Sequence, residues 1–225
     1  MKNTGLTFET LAFLKQLEKN NNREWFAERK TIFKEHEAGF KSFMSDLKDQ
    51  LLFHDEIEKT KVFRIYRDVR FSKNKTPYKS NLAGSFTRSG ARLRGGYYVH
   101  IQPNKSFIAV GFWQPNKEDL LRIRKELETD AEAFRKVISD NSLHQNWGGI
   151  VGDELKTAPK GFDKEHVAID LIRKKQYIFT KSFSDAEVIS KDFINQIDTS
   201  FKSIRPFFDL MSDILTTNLN GESLL

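Results

Sequence analysis

Apolar residues recur at spacing three at Phe8, Leu11, Leu14 and Leu17, which predicts an amphipathic helix over 8–19 with Thr7 as its N-cap. The run Asn20-Asn21-Asn22 ends that helix. Asn21 or Asn22 then caps the next, with Glu24 in its first turn. Trp25, Ile32, Phe33, Phe40, Phe43, Met44, Leu47 and Leu51 form the stripe of one long second helix, flawed only by Gly39. A helical hairpin lying on an apolar surface is expected. From Val62 the period changes to two. Phe63, Ile65, Val69 and Phe71 share one face with Arg67, and Arg64, Tyr66, Asp68 and Arg70 share the other.

Ser72 to Ser80 reads as a loop stopped by Thr76-Pro77. Further strands are predicted over 82–88, 97–102 and 107–113, the last two joined as a hairpin across Pro103-Asn104-Lys105-Ser106. The last is apolar on both faces and so belongs inside the sheet. Helices are expected over 117–127 and 131–138, irregular chain over 143–162, a short helix over 166–174 and a strand over 176–183. A closing stripe of Phe193, Ile194, Ile197, Phe201 and Ile204 is interrupted at Pro206 and followed by a last helix over 207–219. Helices, then mostly antiparallel strands, then helices make an α+β fold, with the N-terminal hairpin and the C-terminal helices packed on the sheet. The 225 residues are most simply one domain, with no internal repeat and no linker.

Charge sharpens this picture. The segment KVFRIYRDVRFSKNKTPYKSN, Lys61 to Asn81, carries seven cations and one acid, a net +6 that equals the net charge of the whole chain. A cationic block set in an apolar pattern with two tyrosines is a place to hold something negative. The absence of cysteine excludes disulfides, thiolate nucleophiles and cysteine-ligated metal centres. No run approaches the roughly 20 apolar residues of a membrane helix, and the N-terminus lacks a signal-peptide pattern. A cytoplasmic protein without a membrane role is expected.

On the motif strand Arg64 and Arg70, with Tyr66 and Asp68 between them, present two guanidinium forks suited to carboxylate or phosphate. Arg67 falls among apolar neighbours, where it is either a structural fastening that needs a partner or a ligand contact. On a helical turn instead, the three arginines would lie within about 120° of one another. The loop adds Lys73, Lys75, Tyr78 and Lys79, each taken singly an ordinary solvated residue. Arg64, Arg70, Tyr78 and Lys79 are expected to converge on one ligand. His100 shares a strand face with Tyr98 and is either a satisfied structural histidine or a general base. Lys160 is a further cation for the same ligand. Trp25 and Trp113 read as core anchors. No metal-ligand spacing and no nucleotide or catalytic fingerprint occurs, so neither metal nor cofactor is expected.

The segments NNNREWF (Asn20 to Phe26), FRIYRDVRFSKNKTPYKSN (Phe63 to Asn81), YYVHI (Tyr97 to Ile101), LKTAPKGF (Leu155 to Phe162) and LIRKKQY (Leu171 to Tyr177) resemble the conserved hypothetical family known as domain of unknown function 2461. Asn74 stands where the family usually has Asp, which removes a negative charge from the loop and argues against a metal there. Val167 stands where Pro usually follows the histidine. The resemblance implies a single-domain α+β fold found in bacteria and some fungi, and transfers no reaction. Three function classes follow from the residues. The first is a binding protein or enzyme for a phosphorylated or carboxylated small ligand. The second is a nucleic-acid-binding protein, favoured by Arg88, Arg92 and Arg94 near the cluster. The third is a protein-interaction module with structural arginines.

Overall fold

The computed structural model describes residues 5–225. Its fold is α+β: five antiparallel strands in sequence order, β1 (Ile57–Val62), β2 (Leu82–Arg88), β3 (Gly96–Ile101), β4 (Ser106–Phe112) and β5 (Tyr177–Phe183), accompanied by helices. β4 lies between β3 and β5, the interior position that its two apolar faces predict. The chain divides into two compact units, Met1–Phe86 with Tyr98–Ile108 and Ser182–Thr199, and Thr87–Tyr97 with Ala109–Lys181 and Ser200–Leu225.

The first unit begins with α1 (Phe8–Lys19), whose Thr7 cap accepts from the Thr10 amide at 3.4 Å. Leu11, Leu14 and Leu17 are buried as expected, but Phe8 is exposed and Phe13 takes its place in the core. The expected long second helix is two. Asn22 caps α2 (Arg23–Glu28), and Arg29 breaks it from α3 (Lys30–Leu51) with a non-helical backbone, φ −111° and ψ 11°. Phe33, Phe40, Phe43, Met44, Leu47 and Leu51 of α3 are all buried, while Ile32 is exposed. Gly39 has a reason to be there: a Cβ at that position would lie 2.4 Å from the Gly5 carbonyl oxygen. α8 (Asp185–Val188) opens on a capping box between Ser184 and Glu187, and α9 (Phe193–Ser203) sets Phe193 parallel to Phe43, ring centroids 5.7 Å apart.

The motif segment differs most from expectation. The strand lies earlier, over Ile57–Val62, where the pattern IEKTKV hides it. Beyond Val62 the chain continues as an arm that folds back on itself. The Phe63 amide donates to Ala83 O (2.9 Å), the Lys79 amide to Ile65 O (2.8 Å) and the Arg67 amide to Pro77 O (2.9 Å), with an isolated antiparallel bridge between Tyr66 and Tyr78. Pro77 has no N–H to return a bond, so the pairing stops there and the chain turns freely through 68–76. The alternation therefore holds for Ile65, which is buried, and fails at Phe71, which is 96% exposed.

In the second unit, α4 (Lys117–Thr129), α5 (Glu132–Ile138), α7 (Ile169–Ile172) and α10 (Arg205–Thr216) fall where the pattern puts them, and Pro206 sits in the first turn of α10. α6 (Asn141–Trp147), capped by Asp140, occupies chain expected to be irregular. Trp113 is exposed rather than an anchor, and the core instead gathers Phe134, Tyr177, Phe179, Phe207 and Phe208. Gly111 at φ +122° lets β4 pass close to β5: a Cβ there would meet the Tyr177 carbonyl oxygen at 2.2 Å. Gly111→Ala combines that clash with an unfavourable φ. Its cost is expected to be at least about 2 kcal/mol, read as a lowered urea midpoint at an unchanged slope.

Candidate functional site

The three asparagines that end α1 each have a separate task. Asn20 Nδ2 donates to Gln16 O (2.9 Å) and closes α1, and Asn22 caps α2. Asn21 reaches the basic arm. Its Nδ2 donates to Tyr78 O (2.9 Å) and its Oδ1 accepts from the Tyr78 amide (3.1 Å), so the side-chain amide pairs with the backbone as a neighbouring strand would. The Phe26 ring stacks on Tyr78 at 4.0 Å and 22°, and Tyr66 closes against both rings. Tyr78 is thus a packed anchor, its phenol pushed above the usual range by burial, with Tyr66 nearby adding to the effect.

The arm sorts its cations into three groups. Arg70 is held by Asp68, Nε to Oδ1 at 3.0 Å and Nη2 to Oδ2 at 2.6 Å, and this pairing lies in solvent. The Arg70 hydrogen bonds hold the Asp68 carboxyl below the ordinary carboxylate range, with Arg64 assisting. Arg67, half-buried, donates to the Thr76 hydroxyl, which Asn74 Oδ1 accepts in turn at 2.8 Å. Its fastening is therefore a hydroxyl and not a carboxylate, and Asn74 serves the loop by capping Thr76. Lys75 donates to Val69 O at 3.0 Å, and Lys73 is exposed at the turn.

The third group gathers around Phe63. Lys61 Nζ lies 5.0 Å and Lys79 Nζ 5.7 Å from the Phe63 ring centroid. Burial holds the Lys79 ammonium below its ordinary range, and the charges that act on it, Arg64 and Lys61, push the same way. Beside this group lies the polar face of β3 and its end. Tyr98 Oη is 3.1 Å from His100 Nδ1, and His100 Nε2 is 3.0 Å from Gln102 Oε1. Gln102 Oε1 can only accept, so Nε2 carries the proton and Nδ1 accepts from the Tyr98 hydroxyl. Asn81 Nδ2 is near-equidistant from the two ring nitrogens, at 3.1 and 3.0 Å, while its buried Oδ1 has no hydrogen-bond partner. Phe107 stacks on the imidazole at 4.7 Å. Burial keeps His100 below the ordinary histidine range, opposed in part by the Gln102 hydrogen bond, with Lys79 adding the least to the lowering. Burial also raises the Tyr98 phenol.

Of the expected cluster, Arg64 and Lys79 come together, while Arg70 and Tyr78 are engaged elsewhere. His100 joins through Lys79. Lys61, Phe63, Asn81 and Gln102 complete the group; Gln102 was not among the expected site residues, although period-two alternation through Tyr98 and His100 points on to it. Lys160 is an exposed turn residue of the second unit, where the Phe162 amide closes on Pro159 O at 3.1 Å. In that same unit Arg88 is buried, donating to Arg94 O (2.8 Å) and set over the Phe208 ring, and Arg94 pairs with Asp119. Both are thus fastenings. Among the described residues no three of His, Cys, Asp and Glu gather as metal ligands, and no helix is long and apolar enough to cross a membrane.

Asn21→Ala removes both bonds to the Tyr78 backbone. It is expected to cost about 1–3 kcal/mol and to speed amide exchange at Tyr78 and Lys79 selectively. Unchanged exchange there would show that Phe26 stacking alone holds the arm.

Comparison with known proteins agrees with the family resemblance. No curated protein matches the chain. A protein family does, described as "Conserved hypothetical protein (DUF2461)", and its match runs over residues 9–210, from α1 into α10. With nearly the whole chain covered, the protein belongs to this family.

Proposed function

We propose that the protein binds an anionic small ligand, phosphorylated or carboxylated, where Lys61 and Lys79 lie over Phe63 and the charge of Arg64 acts on Lys79. The observation that carries this reading is the situation of Lys79. It is partly withdrawn from water, and both charges acting on it are repulsive. An anion bound here would relieve that repulsion. Arg64 supplies a planar fork for carboxylate or phosphate, the two ammoniums supply point charges, and the His100 network supplies hydrogen-bonding groups at the border. The neighbouring cations of the arm already have partners in Asp68, Thr76 and Val69, which leaves this end of the arm as the place for a ligand.

Nucleic-acid binding is the second reading, and Phe71 favours it. This ring is 96% exposed beside Arg70, with Lys73 and Lys75 on the same turn. An aromatic set among cations suits base stacking. It ranks second because Arg88 and Arg94, which had supported it, are engaged in fastenings within the second unit.

Calorimetry against phosphomonoesters, carboxylates and short oligonucleotides separates the two. A small-ligand site discriminates among metabolites with a shallow salt dependence. A nucleic-acid site accepts many sequences and weakens by about 0.7 log unit per log unit of salt for each phosphate neutralised on a single strand. Lys79→Gln is expected to weaken the preferred small anion by about 1.5–3 kcal/mol, roughly ten- to a hundredfold. An affinity unchanged in Lys79→Gln for every ligand bound would remove the site from this place.

A further inference from the structure

We propose that the anion is taken up together with one proton, carried by His100, and that Tyr98 turns its hydroxyl from His100 to the anion as this happens. The inference rests on the anion site proposed above and names its fourth cation. When the ring is neutral, Tyr98 donates to Nδ1 and Nε2–H donates to Gln102 Oε1, so both nitrogens are used. A proton from solvent that bonds to Nδ1 reverses one of these bonds and keeps the other. Nδ1–H then donates to Tyr98 Oη, and the Tyr98 hydrogen is released to donate elsewhere. Tyr98 packs 6.1 Å from the Phe63 ring, over which Lys61 and Lys79 both lie, so its ring stands beside the same cations.

Asn81 supplies the second geometric observation. Its Nδ2 faces the ring nitrogens while its Oδ1 is buried without a partner. Half a turn of that amide would set its oxygen, an acceptor, against the charged ring in place of its Nδ2 donor. The groups around His100 are Tyr98 and Gln102 of its own segment, Phe107 from β4, and Asn81 and Lys79 from the arm. Lys79 is the charged member, and it opposes the imidazolium. An anion that compensates Lys79 removes that opposition. A charge that appears only with the ligand fits an anion of two negative charges, the phosphomonoester or dicarboxylate class, better than a monocarboxylate.

The sign is fixed by linkage. His100 in the free protein takes its proton below the ordinary range, and in the complex at a higher pH. Protons are taken up between those two values, and affinity tightens as pH falls through that window. Sulfate is the clean probe, because its charge is constant there. Calorimetry with sulfate between about pH 7.5 and about pH 5.5, in buffers of different ionisation heat, is expected to register net proton uptake. The accompanying gain in affinity is at most about tenfold per pH unit, and His100→Gln abolishes the pH slope. Tyr98→Phe, which keeps the ring packing and loses the donor, is expected to lose the gain in affinity at low pH. Histidine NMR on the unmodified protein needs no variant, and the His100 titration is expected to move to higher pH on saturation with sulfate. Sulfate binding with no proton uptake, or with uptake that survives His100→Gln, overturns this inference and leaves the anion site standing. No sulfate binding at all overturns both.

Discussion

A single side-chain amide holds the basic arm. Asn21 sits in a chain break between two helices and bonds both backbone groups of Tyr78, a residue far away in sequence. Without such a partner the arm, whose own ladder stops at Pro77, would have too few hydrogen bonds to keep one shape. Phe26 follows from the same helix and stacks on the Tyr78 ring, so polar pairing and apolar burial act on one residue. The position of Lys79, next in the chain, then follows from the position of Tyr78. In this way a turn between N-terminal helices decides where the cations of the arm stand.

Charge is managed along the arm by giving most cations a local partner. Asp68 neutralises Arg70 in solvent, where the pair contributes little to stability and chiefly occupies the fork. Arg67 and Lys75 spend their donors on Thr76 and on the Val69 carbonyl, which shape the turn. What remains is Lys61 and Lys79 about one phenyl ring, with the charge of Arg64 acting on Lys79. An aromatic face eases the approach of ammonium groups but does not cancel their repulsion. Arg88 makes the contrast in the other unit. It is buried, yet a carbonyl, the Ser212 hydroxyl, Asp209 and a ring face surround it. Burial with partners marks Arg88 as a fastening, and the cations about Phe63 have no such set of partners around them among the described residues.

The polar row of β3 is a second constraint on the same site. Tyr97, Val99 and Ile101 are buried on one side of the strand, while Tyr98, His100 and Gln102 lie along the other. Strand geometry alone sets these three side by side. The hairpin through Asn104, left-handed at φ 61°, ends the strand just beyond Gln102 and keeps its amide within reach of the imidazole.

The sequence by itself determined the α+β order, most element positions, the buried stripe of α3, the capped starts of α1 and α2 and the Tyr98–His100 face. These rest on local periodicity and capping, which short stretches of chain encode. It also located the net charge between Lys61 and Asn81. Only tertiary structure decided which cations of that segment face one another. Arg64 and Arg70 occupy equivalent places in the alternation. Yet Arg70 turns to Asp68 while Arg64 joins Lys61 and Lys79, because pairing is lost past Pro77 and the chain leaves the strand register. Period two likewise put Phe71 in the core, where a chain that had stopped pairing could not keep it. Asn21 and Asn81 gave no local signal of their partners, since a side-chain amide bonds equally well to water, backbone or imidazole. Their roles are set by what the fold brings within 3 Å or so, a distance that no pattern along the chain encodes.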